Sequence, residues 1–260
     1  MEVVYERCAG LDVHKESTTA CVLWALPKGK KKQEKRRFAT FTQDLLAMAD
    51  WLRDSGVTHG AIESTGVYWK PVWNILEGQF EILLVNAQHI KAVPGRQTDQ
   101  KDSARIADLL QHGLLRGSFV PPTPVRELRD LTRYRVALAQ ECNRIANRVQ
   151  KVLEDANIKL ASVDTDSLGA PGRAVPDAII QDVQGAVARK RAELRPALEG
   201  RVTEHHRFLL NQLMTHLRFT EERMDDVEKE IARRMQPYRE DVERLCSIPG
   251  VERVTAWGLL

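Results

Sequence analysis

Four carboxylates stand where acids are either costly or grouped. Asp12 lies inside the apolar, strand-like stretch "AGLDV", where a lone carboxylate costs several kcal/mol unless it is paired or metal-bound. Glu63 ends another apolar run, "GAIES", where the chain turns through Thr65 and Gly66. Asp99 and Asp102 sit three apart in "GRQTDQKDSARIADLLQHG", residues 95–113, where a Gly/Pro-containing loop gives way to a helical pattern. At about 100° per residue they lie roughly 60° apart around the axis and about 4.5 Å apart along it. With Asp99 at zero, Ile106, Leu109 and Leu110 fall at about 340°, 280° and 20°, and Lys101, Arg105 and Asp108 near 200°, 240° and 180°. Asp99 and Asp102 therefore head the apolar stripe, while Asp108 faces water. An acidic capping pair, Asp99 at the N-cap and Asp102 at N3, accounts for the same spacing.

Two strand acids and two helix acids over one sheet can converge on a point. At about 5 Å and an effective dielectric near 20, each like-charged pair would cost roughly 3 kcal/mol. Divalent cations remove that penalty, and hard oxygen ligands select Mg²⁺ or Mn²⁺ over zinc. Two such ions about 4 Å apart activate a nucleophile and stabilise the leaving oxygen in phosphodiester chemistry.

The elements that must position these acids follow from the pattern. "CAGLDV" and "STTACVLWAL" read as strands, "RRFATF" as a third, and "PKGKKKQEKR" as the turn before it. "TQDLLAMADWLRDSG" predicts a helix with Thr42 at its N-cap and Gly56 just past its end. "THGAIES" and "FEILLVN" are buried strands flanking a helix around "KPVWNILEG". A hairpin followed by strands crossed over by helices predicts an α/β fold, a mixed sheet covered on both faces.

The prolines of "FVPPTPVREL" break the pattern. Beyond them Leu131, Leu138, Ile145 and Val152 recur every seven residues, with Leu128, Cys142 and Val149 on the adjacent seam. Leu210, Leu217, Met224 and Ile231 repeat likewise, so two long helices in an antiparallel coiled-coil hairpin are expected. "SVDTDSLGAPGRAVPDAI" is the turn-rich crossover between them.

Composition sets the bounds. A chain of 260 residues with 43% hydrophobic content supports a real core, and a net charge of +3 from 39 basic and 36 acidic residues leaves any nucleic-acid partner to local placement. Cys8, Cys21, Cys142 and Cys246 lack metal or redox spacing and read as reduced packing residues of a cytosolic protein. No stretch approaches eighteen apolar residues, so no membrane span or anchor is expected.

"AGLDVHKEST", "AIESTGVYWKPVWNILEG", "LLVNAQHIKAVPGRQTDQKDSARIADLLQHGLLRGSFVPP" and "RELRDLTRYRVALAQECNRIANRVQKVLEDANIKL" together resemble the DEDD transposases of the IS110 insertion-sequence family. The resemblance implies a RuvC-like domain of RNase H-like fold over 1–118, a helical coiled-coil region over 119–240 and the start of a helix-hairpin-helix-like C-terminal domain over 241–260. It implies that Asp12, Glu63, Asp99 and Asp102 are a catalytic tetrad holding Mg²⁺ (or Mn²⁺). It further implies donor and target DNA as substrates, a structured guide (bridge) RNA as partner, and a homodimer or homotetramer as working form. Ser103 stands where the family commonly has Ala, and Glu252 replaces a hairpin glycine in "LCSIPGVERVTAWGLL". The family's attacking serine lies beyond that motif, so a C-terminally shortened chain is expected. Two other readings compete: a junction-resolving or RNase H-type nuclease in which water attacks, and a catalytically silent nucleic-acid-binding or dimerisation protein.

Basic residues are the remaining candidates. Lys28, Lys30, Lys31, Lys32, Lys35, Arg36 and Arg37 cluster around one acid at an expected hairpin tip, either a solvated turn or a nucleic-acid contact. Arg126, Arg129, Arg133, Arg144 and Arg148 could track a phosphate backbone or pair with Glu127, Asp130 and Glu141. Tyr68, Trp69 and Trp73 read as core packing rather than base-stacking platforms. His14 is close to Asp12 but reads as structural, and His205 and His206 lack an evident partner set.

Overall fold

The computed structural model describes residues 2–27, 30–64, 66–86, 102–159, 175–177, 179–180 and 200–259. They form two units, Met1–Val120 and Pro121–Leu260.

The first unit is built on five strands: β1 (Arg7–Val13), β2 (Ser17–Ala25), β3 (Lys31–Ala39), β4 (His59–Glu63) and β5 (Glu81–Val85). Their order in the sheet is β3-β2-β1-β4-β5. The two hairpin pairings are antiparallel, and β1–β4 and β4–β5 are parallel, so the predicted mixed sheet is present. Three helices cover it: α1 (Thr42–Asp54), α2 (Trp69–Leu76) and α3 (Asp102–Gln111). Period-two alternation sorts the strand residues between two cores. Ala9, Leu11, Val13, Val22 and Ile62 pack with Leu45, Met48 and Leu52 of α1 and Val72 and Leu76 of α2. Cys8, Cys21, Ala61 and Val85 face Ile106, Ala107 and Leu110 of α3 on the opposite side.

Gly10 sets how closely α3 approaches. A Cβ there would meet the Ser103 carbonyl oxygen at 2.2 Å and the Ala107 nitrogen at 2.3 Å, so only glycine lets the helix backbone lie on β1.

The structure corrects several expectations. Most of the basic run is not a hairpin tip: Lys31–Arg37 belong to β3, the Leu26 amide donates to Lys30 O at 2.8 Å just before it, and Lys28 lies outside the described residues. A sheet edge accepts charges that a central strand would not, and lysines there discourage edge pairing. Long cationic stems also lie on aromatic surface, Lys32 over Trp24 and Arg36 over Trp51, each 4.9 Å from the ring. Thr42 does not cap α1. Phe41 holds the N-cap position and the Leu45 amide donates to its carbonyl, which places Thr42 inside the first turn. Gly56 does end the helix, in the left-handed region at φ +70.

The second unit pairs two long helices, α4 (Thr123–Asp155) and α5 (Glu204–Arg234). Arg234 Nη1 donates to Glu127 at 2.5 Å, Arg135 to Glu228 at 2.8 Å, and Asp155 meets His206 at 2.9 Å. The beginning of each helix meets the end of the other, so they run antiparallel. Leu128, Cys142, Ile145 and Val149 are buried on α4, and Leu210, Leu217 and Ile231 on α5, whereas Leu131, Leu138, Val152 and Met224 are only half buried. The 3₁₀ turn Gln236–Tyr238 leads to α6 (Arg239–Cys246) and α7 (Arg253–Leu259). Gly250, at φ +84, turns the chain between them, and Ala256 and Trp257 pack on Leu128, Ile231 and Met235. Cys8, Cys21 and Cys142 are buried and outside any disulfide, as expected, but Cys246 is exposed. Most of the expected crossover, 162–174 of 162–179, lies outside the described residues. Among the described residues no helix is long and apolar enough to cross a membrane.

Candidate active site

Asp12 is the sixth residue of β1 and Glu63 the last of β4. The two strands are parallel, with Leu11 opposite Ile62, so Asp12 and Glu63 stand side by side one step past the last paired residues. Leu11 and Ile62 enter the core under α1 and α2, which turns the two acids to the α3 face. Glu63 shares that side with Val85, its partner on β5.

On this face α3 starts beside the acids. Its first residue is Asp102, exposed, and the following Ser103 is buried with its carbonyl against Gly10, two residues before Asp12. Asp102 is near enough to act on Asp12 electrostatically. Burial raises the Asp12 carboxyl above its ordinary value; the His14 ring opposes that shift, and the negative charge of Asp102 adds to it. His14 Nε2 is 3.2 Å from Asp12 Oδ2, with its ring 62% exposed while the Asp12 side chain is 15% exposed. The tight His14–Ser17 turn brings the ring back to Asp12, in keeping with the closeness of the two residues in the sequence. Its backbone signature is the His14 amide donating to Ser17 O at 2.9 Å.

Asp99 lies outside the described residues. Asp108 is at the other end of α3 and pairs with Lys31, which also donates to His112. Strand register sets Asp12 beside Glu63, the charge of Asp102 reaches Asp12, and Asp108 stands apart with Lys31. Among the described residues no three His, Cys, Asp or Glu side chains stand close enough together to hold a metal ion.

The candidate nucleic-acid residues divide by strand alternation. Lys32 and Arg36 project to the α1 side, over Trp24 and Trp51, and Arg36 also pairs with Glu34 at 2.8 Å. Lys31 is on the α3 side with Asp108; Lys35 and Arg37 follow it on that side, opposite Cys21 and Thr19 of β2. Lys30 precedes the strand and is exposed. In the second unit Arg126 donates to Pro121 O and Thr123 Oγ1, Arg144 pairs with Glu141, and Arg129 lines a small apolar recess with Val125, Leu128, Met235, Tyr238 and Trp257. Arg133 is exposed on α4. Trp73 is buried and meets Trp69 edge-on at 5.9 Å in the α2 core, while Tyr68 is exposed. His206 has the partners the sequence did not reveal: Thr203 and Asp155.

Residues 9–158 match the DEDD transposase family of IS110 type. No curated protein matches the chain. Among solved structures it is similar to RuvC of Thermus thermophilus, at 13% identity and TM-score 0.34, over 43% of this chain and 99% of RuvC. T. thermophilus RuvC in complex with a Holliday junction substrate gives 12% and 0.32, over 44% of this chain and all of that one.

Proposed function

The chain belongs to the DEDD transposases of IS110 type, and from that membership we propose a DNA recombinase that cuts and joins strands at Asp12, Glu63, Asp99 and Asp102. The observation that carries this reading is the side-by-side placement of Asp12 and Glu63 at the carboxyl ends of parallel β1 and β4, with α3 starting beside them at Asp102. Burial raises the Asp12 carboxyl, with the nearby charge of Asp102 adding to the shift, so an ionised Asp12 carries a cost that a bound cation would offset. The donor set consists of hard oxygens, the ligand type that suits Mg²⁺ or Mn²⁺, the ions the family implies. Asp12, Glu63 and Asp102 would hold it, with Asp99 completing the tetrad. Bound divalent ions supply charge neutralisation for the attacking and leaving oxygens of a phosphodiester.

The protein's own residues do the positioning. β1 and β4 set the backbones of the two acids about 4.8 Å apart, the spacing of neighbouring strands. His14 donates from Nε2 to Asp12 and holds one carboxylate oxygen in place. Gly10 lets α3 close on the sheet, which brings Asp102 to the same point. Donor and target DNA are the substrates of this reading, a structured guide RNA its partner, and a dimer or tetramer its working form; the family supports all three. The heptad helices would serve as the assembly surface, and the α6–α7 turn as a contact to DNA phosphates.

Calorimetric titration with Mn²⁺ tests the site. Asp12→Asn, Glu63→Gln, Asp99→Asn and Asp102→Asn should each abolish binding, and Asp108→Asn should leave it intact. Equal loss in Asp108→Asn, or unchanged binding in all four, would remove the tetrad. Metal-dependent cutting of a DNA junction without rejoining would favour a nuclease, and RNA binding without metal binding a silent binding protein.

A further inference from the structure

Seven basic residues crowd one segment, and most of those in β3 are already occupied. Lys31 is bound to Asp108 and His112, Lys32 lies over the Trp24 ring, and Arg36 lies over Trp51 and against Glu34. Lys35 and Arg37 have no ion-pair partner among the described residues. Both project from the α3 side of β3, the side that carries the acids. The field of Lys35 acts on the Cys21 thiol of that core, in keeping with this placement.

Register puts Arg37 in line with the site. Arg37 pairs with Thr19, and Thr19 pairs with Asp12, so Glu63, Asp12, Thr19 and Arg37 form one row across β4, β1, β2 and β3. Two strand spacings separate Arg37 from Asp12, about 10 Å at the backbone. That is the axial rise of about three nucleotides on one DNA strand. Lys31 and Asp108 tie the far end of β3 to α3 near its carboxyl end, whereas Arg37 stands level with the acids at the helix start.

We propose that Arg37, with Lys35 behind it on the same face of β3, binds the phosphate backbone of the DNA strand that is cut at Asp12 and Glu63. The proposal rests on the recombinase reading of the acids. Charge complementarity selects the ligand: two cations without an acid partner beside a row of carboxylates hold a polyanion whose neighbouring phosphate lies at those carboxylates. Arginine suits it, because its planar fork meets two phosphate oxygens at once. Lys32 and Arg36 take no part, since their side chains are spent on the tryptophans of the opposite face.

The test is fluorescence anisotropy of a labelled four-way DNA junction with the 260-residue protein, in EDTA, across a series of KCl concentrations. Arg37→Ala should flatten the plot of log affinity against log salt by about one unit, and Arg37→Ala/Lys35→Ala by about two. Lys32→Ala and Arg36→Ala should keep the unsubstituted slope. Arg37→Gln, which keeps a donor without the charge, should flatten the slope as Arg37→Ala does. An unchanged slope for Arg37→Ala, an equal change for Lys32→Ala, or weakened binding confined to an RNA hairpin of similar length would each overturn the proposal. Mn²⁺ titration separates the two ideas: if the acid variants lose Mn²⁺ while Arg37→Ala binds DNA normally, only the phosphate contact fails. If the acid variants keep Mn²⁺, the recombinase reading fails, and with it the cut site this contact serves.

Discussion

Asp12 and Glu63 lie next to each other on parallel strands, each one residue past the last paired position, on the face where α3 begins. Their place is enforced by their neighbours: Leu11 and Ile62 are fully buried on the other side of the sheet, so a slip of one residue would bury both acids and expose both aliphatic side chains. A fold held in register by its core thereby holds two like charges together.

Burying the Asp12 carboxyl has a cost in the absence of metal, and pH reveals it. The Asp12 carboxyl is raised in the folded state, so folding favours its neutral form. Below the ordinary value of 3.8 both folded and unfolded chains carry the proton and there is no penalty; stability is lost as pH rises through the folded pKa. In EDTA at neutral pH, Asp12→Asn should therefore melt higher than the unsubstituted protein, with the gap closing as the solution is acidified. Added Mn²⁺ should raise the melting temperature of the unsubstituted protein only. A variant less stable at every pH would show that Asp12 is held by favourable contacts instead.

Gly10→Ala should damage stability and site together. The added Cβ meets backbone atoms of Ser103 and Ala107, which cannot rotate away, so α3 must lift. A loss of about 1–3 kcal/mol in urea unfolding is expected, with weaker Mn²⁺ binding in the folded fraction because Asp102 moves from Asp12. Gly60→Ala is the comparison: its Cβ meets the Ile82 Cδ1 end of a flexible side chain, and metal binding should survive. Equal Mn²⁺ affinity in both variants would separate α3 from the site.

What could be read from residue order depended on how local the signal was. Asp12 stood out because an acid inside "AGLDV" contradicts its surroundings, and the α3 stripe was readable from a period of 3.6: Ile106, Leu109 and Leu110 are buried, and Asp108 is half exposed. Only the end of β3 was readable, from "RRFATF"; its first half, "KKQEK", lacks the apolar alternation of a strand. At an edge, stacking of Lys32 and Arg36 on tryptophans from β2 and α1 replaces that alternation, and such partners are distant in sequence. The row from Glu63 to Arg37 needs three registers at once, which no local pattern specifies. His206 escaped notice because its capping role needs Thr203 beside it and Asp155 from a helix about fifty residues earlier.

The cysteines should separate by reactivity. Burial, with Cys21 and Asp108 adding and Lys31 opposing, pushes the Cys8 thiol up to about 12. The folded state thus favours the neutral thiol: its contribution is fully present below 9.0 and is lost as pH rises from there toward 12. Iodoacetamide under native conditions at mildly alkaline pH should modify Cys246 alone, as read by mass spectrometry of peptides. The urea midpoint should fall above pH 9.0, and fall less in Cys8→Ala. Rapid native labelling of Cys8 or Cys21 would contradict the burial of the α3 core.

The start of α5 is held by a reciprocal cap whose parts should prove interdependent. Thr203 Oγ1 accepts from the His206 amide at 3.4 Å, and His206 Nδ1 accepts from the Thr203 amide at 3.1 Å. With Nδ1 accepting, the ring proton lies on Nε2, which donates to Asp155 at the end of α4 at 2.9 Å. Each alanine variant removes one of these two bonds and also the contact between Thr203 Oγ1 and His206 Nδ1 at 3.1 Å, so each should cost about 1 kcal/mol in urea unfolding. The double variant should then cost less than the sum of the two by about 0.5 kcal/mol or more, because the side-chain contact that the two residues share is lost only once. His206→Ala should also lose coupling to Asp155→Ala, while Thr203→Ala should retain part of it. Strict additivity of Thr203→Ala and His206→Ala would mean that the histidine acts only through Asp155, as a strap between helix ends and not as part of the cap.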